Sequence, residues 1–222
     1  MVHLRRTAVF GVASLAALAL AAPAASAATT TIYAGSDPYS GRVQASLLGT
    51  ATVSTSIGSG SCNESTLTGS IQSDGTGLTI NSATFATDGG PCSGTVSSTI
   101  TPENFPWTGG TVVYDTAHTG GRDAAVTIAN FRVRAVVNIF GGITCIYGGN
   151  LTANGYNPDN PNRGDTSVAE AQVGVTNATV SKISSGSSFL CPSTATVSAN
   201  YKLLGESTPG SGTYDQTLHV TE

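Results

Sequence analysis

Alternation of apolar and polar residues marks β-strands along most of the chain. The clearest case runs from Ala195 to Leu203, where every second residue is apolar or aromatic and the intervening residues are polar. This period of two is typical of a strand with one buried and one solvent-facing side. Turn-forming pairs such as Asp74-Gly75 and Gly120-Gly121 separate the apolar segments. We therefore predict an all-β protein, with further strands at 43–47, 51–57, 67–71, 78–85, 96–100, 111–114, 143–147, 168–175 and 218–220.

The segment 124–140 is longer than the others, and its alternation changes phase. Val126 and Ile128 keep one phase before Asn130, whereas the alternating apolar residues after it take the other phase, namely Phe131, Val133, Ala135, Val137 and Ile139. A shift of this kind is the pattern that a β-bulge leaves, because one strand then carries an extra residue. We predict a bulge or bend near Asn130, with Arg132 and Arg134 on the solvated side of the strand.

The first 27 residues have the composition of a cleavable secretion signal. Arg5 and Arg6 form a basic start, an apolar stretch follows, and small residues end it at an Ala-x-Ala sequence. The apolar stretch is shorter than the roughly 20 residues that a membrane-spanning helix requires. We predict cleavage after Ala27, with Ala24 and Ala25 as alternatives. The mature protein is then secreted to the extracellular space and has no membrane span.

Removal of the signal makes the chain more acidic. Seven basic residues remain against 13 acidic ones, so the formal net charge changes from −4 to −6. Nucleic-acid binding depends on clustered Lys and Arg, so this balance excludes nucleic acid as an expected partner. Charged residues make up only 10% of the chain, and small and β-branched residues dominate. This composition favours an extracellular antiparallel β-sandwich.

The four cysteines fall in two stretches of similar sequence. Cys62 and Cys145 each precede a Leu-Thr step and a strand that ends in Ala-Thr-apolar, and the stretches close with Cys92 and Cys191. Four cysteines allow three connectivities. Only Cys62–Cys92 with Cys145–Cys191 preserves the similarity, so we predict these two disulfides and a disulfide-stapled fold.

The domain organisation follows from the same patterns. We assign 1–27 to the signal peptide, 28–42 to an N-terminal segment or edge strand, and 43–222 to the β-sandwich region. An internal duplication would divide that region into similar halves at 43–115 and 124–222. Chance similarity in a chain rich in Ser, Thr and Ala is the alternative.

Several sequence features together resemble a known group of proteins. They are the early Cys62, a strand bounded by Gly, an Ala-x-Phe step that ends at Phe85, the Cys92-Ser93-Gly94 step and the Pro106-Trp107 pair. The combination resembles small secreted β-sandwich proteins with paired cysteines that many actinobacteria encode. The resemblance implies a secreted β-sandwich and supplies no activity, substrate or catalytic residue.

One short connection contains candidate catalytic chemistry. His118 lies between Asp115 and Asp123, with Arg122 beside them. A histidine base held by a carboxylate belongs to many hydrolytic sites, but a polar loop between two strands has the same composition. No Gly-x-Ser-x-Gly, His-Glu-x-x-His or Cys-His arrangement accompanies it. We predict that the protein is not an enzyme and has no catalytic residue or cofactor. A small secreted hydrolase or glycan-active enzyme is the alternative.

The second cysteine stretch contains a longer loop, at 154–165, than the first. Its candidate calcium ligands are the side-chain oxygens of Asn157, Asp159, Asn160, Asn162 and Asp165. Two prolines break the EF-hand spacing and no glutamate follows at the twelfth position. We predict a rigid loop and no metal, with a calcium loop as the alternative.

The remaining candidates concern partner binding. The start of the mature chain is either an edge strand of its own sheet or a strand donated to a partner. We predict a non-enzymatic binding or adaptor module, one subunit of an extracellular or cell-surface assembly, with a structural envelope protein as a further alternative. A protein or cell-surface partner would contact Ile32, Tyr33, Tyr39, Trp107, Tyr156, Asp159 and Arg163, although Trp107 could equally seal the core.

Overall fold

The computed structural model of the protein describes residues 29–139 and 141–222. The predicted signal peptide at 1–27 lies outside the described residues. Within them the structure contains strands, one short 3-10 turn at Thr119–Gly121 and no α-helix, which confirms the all-β class. In those same ranges no helix has the length and apolar character needed to cross a membrane. The strands are β1 (Thr31–Ala34), β2 (Asp37–Pro38), β3 (Gly41–Thr55), β4 (Gly58–Cys62), β5 (Glu64–Ile71), β6 (Leu78–Ala86), β7 (Ser93–Gly94), β8 (Ser98–Pro102), β9 (Trp107–Tyr114), β10 (Ala124–Val137), β11 (Ile143–Tyr156), β12 (Ala171–Lys182), β13 (Thr194–Glu206) and β14 (Tyr214–Thr221).

Eight strands close into an antiparallel barrel, and this corrects the predicted sandwich. Strands β3, β5, β6, β9, β10, β11, β12 and β13 follow one another around the sheet, and β13 also pairs with β3. Tyr201 of β13, for example, lies opposite Leu47 of β3. Because the first and last barrel strands pair, one continuous sheet surrounds a single interior instead of forming two facing layers.

One end of the barrel is covered by the strands at the two ends of the described chain. We call this end the base. Strand β14 continues beyond its pairing with β13 and pairs with β1, so that Ile32 lies opposite Val220. The Asn157 side chain bonds both the N–H and the C=O of Val220, and the Ile32 N–H donates to the Ser73 carbonyl. Ile32, Leu218 and Val220 are therefore buried beneath this two-stranded ribbon.

The bulge predicted in the longest strand is confirmed. The register between β10 and β11 shifts between Ile128 and Phe131, where one extra residue lies in β10. Asn130 adopts the left-handed conformation with a φ of 58°, which asparagine tolerates better than most residues. The bulge restores the phase, so apolar residues on both sides of it face the interior.

The disulfides are also as predicted. Cys62 bonds Cys92, Cys145 bonds Cys191, and no cysteine is free. Both bonds lie toward the barrel end opposite the base, which we call the mouth, because Cys62 pairs with Ala51 in the later half of β3 and Cys145 lies near the start of β11. The bonds close loops of 30 and 46 residues, which in the chain-entropy model stabilises the fold by about 4 kcal/mol each.

Candidate functional site

The barrel interior contains an apolar cavity of about 350 Å³. It arises because successive side chains of a strand point to opposite faces, so every second residue of each barrel strand points inward. Apolar side chains from all eight barrel strands form most of its lining, and no Asp, Glu, Lys or Arg side chain borders it within the described residues. Inward residues that represent the lining are Ala45, Val53, Val126, Ala135, Leu151, Val173, Ala199 and Leu203.

The cavity opens toward the mouth. At the base its lining includes Ile32, Leu218 and Val220, which are all buried. At the mouth it is lined by Val96 and Ile57, of which Ile57 is 66% exposed. Exposure therefore increases from base to mouth, and a ligand from solvent would enter past the β3–β4 hairpin.

The mouth also exposes apolar side chains that do not line the cavity. Phe189 is 89% exposed and Leu190 about half exposed, on the connection between β12 and β13 just before Cys191. Single exposed apolar residues are common on protein surfaces. Their position beside the disulfide nonetheless makes the mouth more apolar than the base.

Three buried hydroxyl groups lie within the mostly apolar interior. Tyr147 and Tyr201 border the cavity, and Ser65 lies beside Tyr201. The Tyr147 hydroxyl donates to the Pro192 carbonyl at 3.1 Å, and the Ser65 and Tyr201 hydroxyls are 3.1 Å apart. Burial raises the pKa of Tyr147 and of Tyr201 above the ordinary value, so both phenols are neutral at neutral pH.

The candidate catalytic residues do lie together, at the base and outside the cavity. His118 Nδ1 is 3.4 Å from Asp123 Oδ1 and 3.1 Å from the Arg122 carbonyl, which can only accept a hydrogen bond. In the neutral ring Nε2 is then the acceptor. Among the described residues its hydrogen-bond neighbour is the Tyr114 hydroxyl at 3.5 Å, so no Ser or Cys nucleophile faces it.

The two carboxylates of this cluster accept hydrogen bonds from the surrounding loops. The Arg122 guanidinium, 2.6 Å from Asp115, is the main reason why the pKa of Asp115 lies below its ordinary value. Asp123 accepts hydrogen bonds from the Asn157 backbone and the Asn160 side chain, both at 2.7 Å. The arrangement can orient an imidazole, but its hydrogen bonds connect the β9–β10 loop to the long loop after β11.

The long loop uses its polar side chains internally. Asn157 bonds Val220, Asn160 bonds Gly121 and Asp123, and Asp165 accepts from Ser167. Over the part of the chain that the structure describes, no group of three His, Cys, Asp or Glu side chains is placed to hold a metal ion. The absence of metal stays a prediction.

The predicted partner-binding residues of the N-terminal segment are engaged within the chain. Ile32 is buried at the base, and Tyr33 stacks on His219 with ring centroids 5.4 Å apart. The Tyr39 hydroxyl donates to the Arg42 carbonyl at 2.5 Å and accepts from the Glu206 N–H at 2.8 Å. The segment thus forms an edge of the chain's own sheet.

The other four predicted residues lie apart from one another. Trp107 is 1% exposed, contacts Phe105 and lies in the core, while Tyr156 borders the cavity near the base. Asp159 is exposed on the long loop, and the Arg163 guanidinium donates to three backbone carbonyls of that loop. Partner binding by these residues stays a prediction.

Sequence reasoning missed the cavity. A signal was present in the small residues at inward positions of otherwise well-patterned strands, such as Ala45, Ala135 and Ala199. Small inward side chains leave space that Leu or Phe would fill. Alternation alone does not reveal that space, because it records which side of a strand is apolar and not how well the interior is filled.

Comparison with known proteins gives no relative for this chain. No family model, no curated protein and no solved structure matches it. The resemblance to secreted actinobacterial proteins therefore stays a prediction, and the function has to be inferred from the barrel interior.

Proposed function

We propose that this protein binds a small, mostly apolar molecule in the barrel interior, as a non-enzymatic binding module that acts outside the cytoplasm. The observation that carries the proposal is the cavity of about 350 Å³, which is mostly apolar and is lined by buried residues such as Leu218 at the base and by the exposed Ile57 at the mouth. Its volume lies near the lower end of the roughly 300–1,000 Å³ typical of small-molecule sites.

The physical basis is burial of apolar surface. Each Å² of apolar ligand surface removed from water contributes roughly 25 cal/mol. The surrounding barrel is closed by hydrogen bonds between β13 and β3 and by the ribbon at the base. A preformed cavity of this kind needs little ordering when a ligand binds, so less of the burial energy is lost.

Two observations support a binding role over catalysis. No acidic or basic side chain among the described residues lines the cavity except His219, whose ring stacks on Tyr33. The cluster of catalytic residue types around His118 lies at the base, where its hydrogen bonds connect two loops. A general acid–base mechanism needs such groups beside the reacting atoms.

Two further observations support a location outside the cytoplasm. The two disulfides are typical of proteins that fold in oxidising environments. The sequence of the first 27 residues agrees with export.

The test uses the neutral apolar dye N-phenyl-1-naphthylamine and the purified mature protein. We expect saturable fluorescence enhancement with one dye bound per chain. Ala135→Phe places a large ring in the cavity and should weaken dye binding by about 10-fold or more, since overpacking a filled cavity is costly. Val136→Phe, at the neighbouring outward position of β10, is the matched control and should leave affinity unchanged within about twofold.

The comparison requires that both variants keep the melting temperature of the parent protein. If Ala135→Phe does not fold, Ala199→Phe takes its place. Absence of saturable dye binding to the parent protein would refute the proposal. Equal weakening by the inward and outward variants would place the dye outside the cavity and refute it as well.

A further inference from the structure

The hydroxyl pair formed by Tyr201 and Ser65 is unusual for its surroundings. Tyr201 lies on β13 and Ser65 on β5, on either side of β3, and their oxygens are 3.1 Å apart. The two residues are 8% and 6% exposed. Around them the interior is lined by Leu67, Ala199 and Leu203. Burying polar groups among such residues costs free energy unless their hydrogen bonds are satisfied.

The pair has one more hydrogen-bond donor than it uses. Two hydroxyl groups carry two protons, and a single hydrogen bond between them uses one. Among the described residues no second acceptor lies within hydrogen-bond distance of either oxygen. Tyr201 borders the cavity, whereas Ser65 does not. If Ser65 donates to the phenol oxygen, the remaining O–H is that of Tyr201, and it can point into the cavity.

We propose that Tyr201 donates a hydrogen bond to a neutral acceptor oxygen, a carbonyl, ester or ether, of an otherwise apolar ligand. This inference rests on the proposed function and specifies its ligand class. A charged carboxylate fits less well, because no Lys or Arg side chain borders the cavity within the described residues to offset its desolvation. A pure hydrocarbon would fill the space but would leave the phenol O–H without an acceptor.

Tyr147 provides an internal comparison. It also borders the cavity, but its hydroxyl already donates to the Pro192 carbonyl at 3.1 Å. Its one proton is therefore used within the protein. Tyr201 and Tyr147 thus present the same chemical group to the same cavity, one with a free donor and one without.

The test compares butyrophenone with butylbenzene, two ligands that differ by a carbonyl in place of a methylene group. Their affinities are measured by displacement of N-phenyl-1-naphthylamine from the mature protein. We expect Tyr201→Phe to weaken butyrophenone binding by about 10-fold, because the ligand carbonyl is then buried without a donor. Butylbenzene binding should stay within about twofold. Tyr147→Phe should leave the ratio of the two affinities unchanged.

Ser65→Ala distinguishes which hydroxyl donates. It removes the partner of Tyr201 and leaves the phenol O–H, so the preference for the ketone should persist. Loss of that preference in Ser65→Ala together with its retention in Tyr201→Phe would overturn the assignment, as would equal effects of Tyr201→Phe on both ligands. Failure of both ligands and of the dye to bind the parent protein would instead refute the proposed function itself. Thermal unfolding of each variant verifies that it is folded.

Discussion

The two ends of the barrel are stabilised by different means. At the base, the β1–β14 ribbon covers the end of the barrel. Polar contacts hold this end together, including those of Asn157 with Val220 and of Asp123 with Asn160. At the mouth, the chain exposes Ile57 and Phe189 and relies on two disulfides. A closed end must satisfy the backbone groups of the strands that cover it, whereas an open end has no covering layer to pack against. Covalent bonds can stabilise connections there without filling the opening.

The largest expected effect comes from removing the ribbon. Deletion of residues 29–39 removes β1, the buried Ile32 side chain and the Tyr39 hydrogen bonds, and exposes Leu218 and Val220. Full burial of one such side chain is worth about 1.5–3 kcal/mol, so we expect a loss of about 5 kcal/mol of unfolding free energy. Urea denaturation of the deletion protein beside the parent measures it.

The outcome also decides between the two sequence interpretations of this segment. A strand that is donated to a partner could be removed with almost no change in the denaturation midpoint. The double replacement of Ser36 and Asp37 by Ala, at the exposed β1–β2 turn, is the matched control and should cost less than about 1 kcal/mol. An unchanged midpoint after the deletion would contradict the closed base.

A smaller effect is expected at the mouth. Replacing Cys145 and Cys191 together by Ala opens the 46-residue loop and should cost at most about 4 kcal/mol. For a protein of this size each kcal/mol lowers the melting temperature by about 2–4 °C, so a decrease of roughly 10 °C is expected. Native-state hydrogen exchange should show faster opening in the first residues of β11 and β13, and little change in β1 and β14. Equal acceleration at both ends would show that they are not independent.

Local patterns predicted those parts of the fold that depend on neighbouring residues. Most of the barrel strands and the bulge at Asn130 follow from periodicity, and the two disulfides follow from the similarity of the two cysteine stretches. The short strands β4 and β7 were not predicted, and the strand predicted at 168–175 is observed at Ala171–Lys182. Closure of the barrel does not follow from local patterns, because it depends on pairs such as Thr196 with Ser54, which are far apart in sequence. Strands of a sandwich and of a barrel have the same one-sided alternation.

The internal similarity has a structural counterpart. The two matched stretches form the second and third barrel strands of each set of four, β5 and β6 in one half and β11 and β12 in the other. The register changes after Ile80 in β6, where it pairs with the preceding strand β5, and after Val175 in β12, where it pairs with the following strand β13. The two irregularities therefore involve different neighbouring strands, and the duplication stays a hypothesis.

The site was less predictable than the fold. The sequence patterns emphasised polar clusters such as His118 with Asp123, since titratable residues are easily recognised in a sequence. The structure uses that cluster to join loops at the base. The role of Tyr201 depends on its distance from Ser65, a residue 136 positions away, and on the space beside both. Neither quantity is contained in a local pattern.

Acidification should affect the two ends differently, and this is the smallest expected effect. Asp74, Asp115, Asp165 and Glu206 all lie at the base, and hydrogen bonds that favour the charged form hold the pKa of each below its ordinary value. The dominant partners are Thr76, Arg122, Ser167 and the Gly210 N–H, respectively.

A carboxylate whose pKa is lowered by folding stabilises the native state fully above its unfolded-state pKa, here 3.8 for Asp and 4.5 for Glu. That contribution is lost as the pH falls through the lower pKa of the folded state. The disulfides of the mouth do not titrate, so the base should loosen first below about pH 4. Hydrogen exchange, corrected for the intrinsic pH dependence of amide exchange, should therefore show β1 and β14 opening between pH 4 and pH 2 while β11 near Cys145 stays protected. Asp115→Asn should reduce this pH dependence at the β9–β10 loop. If acid removed protection at the mouth before the base, the carboxylates would not be what stabilises the base.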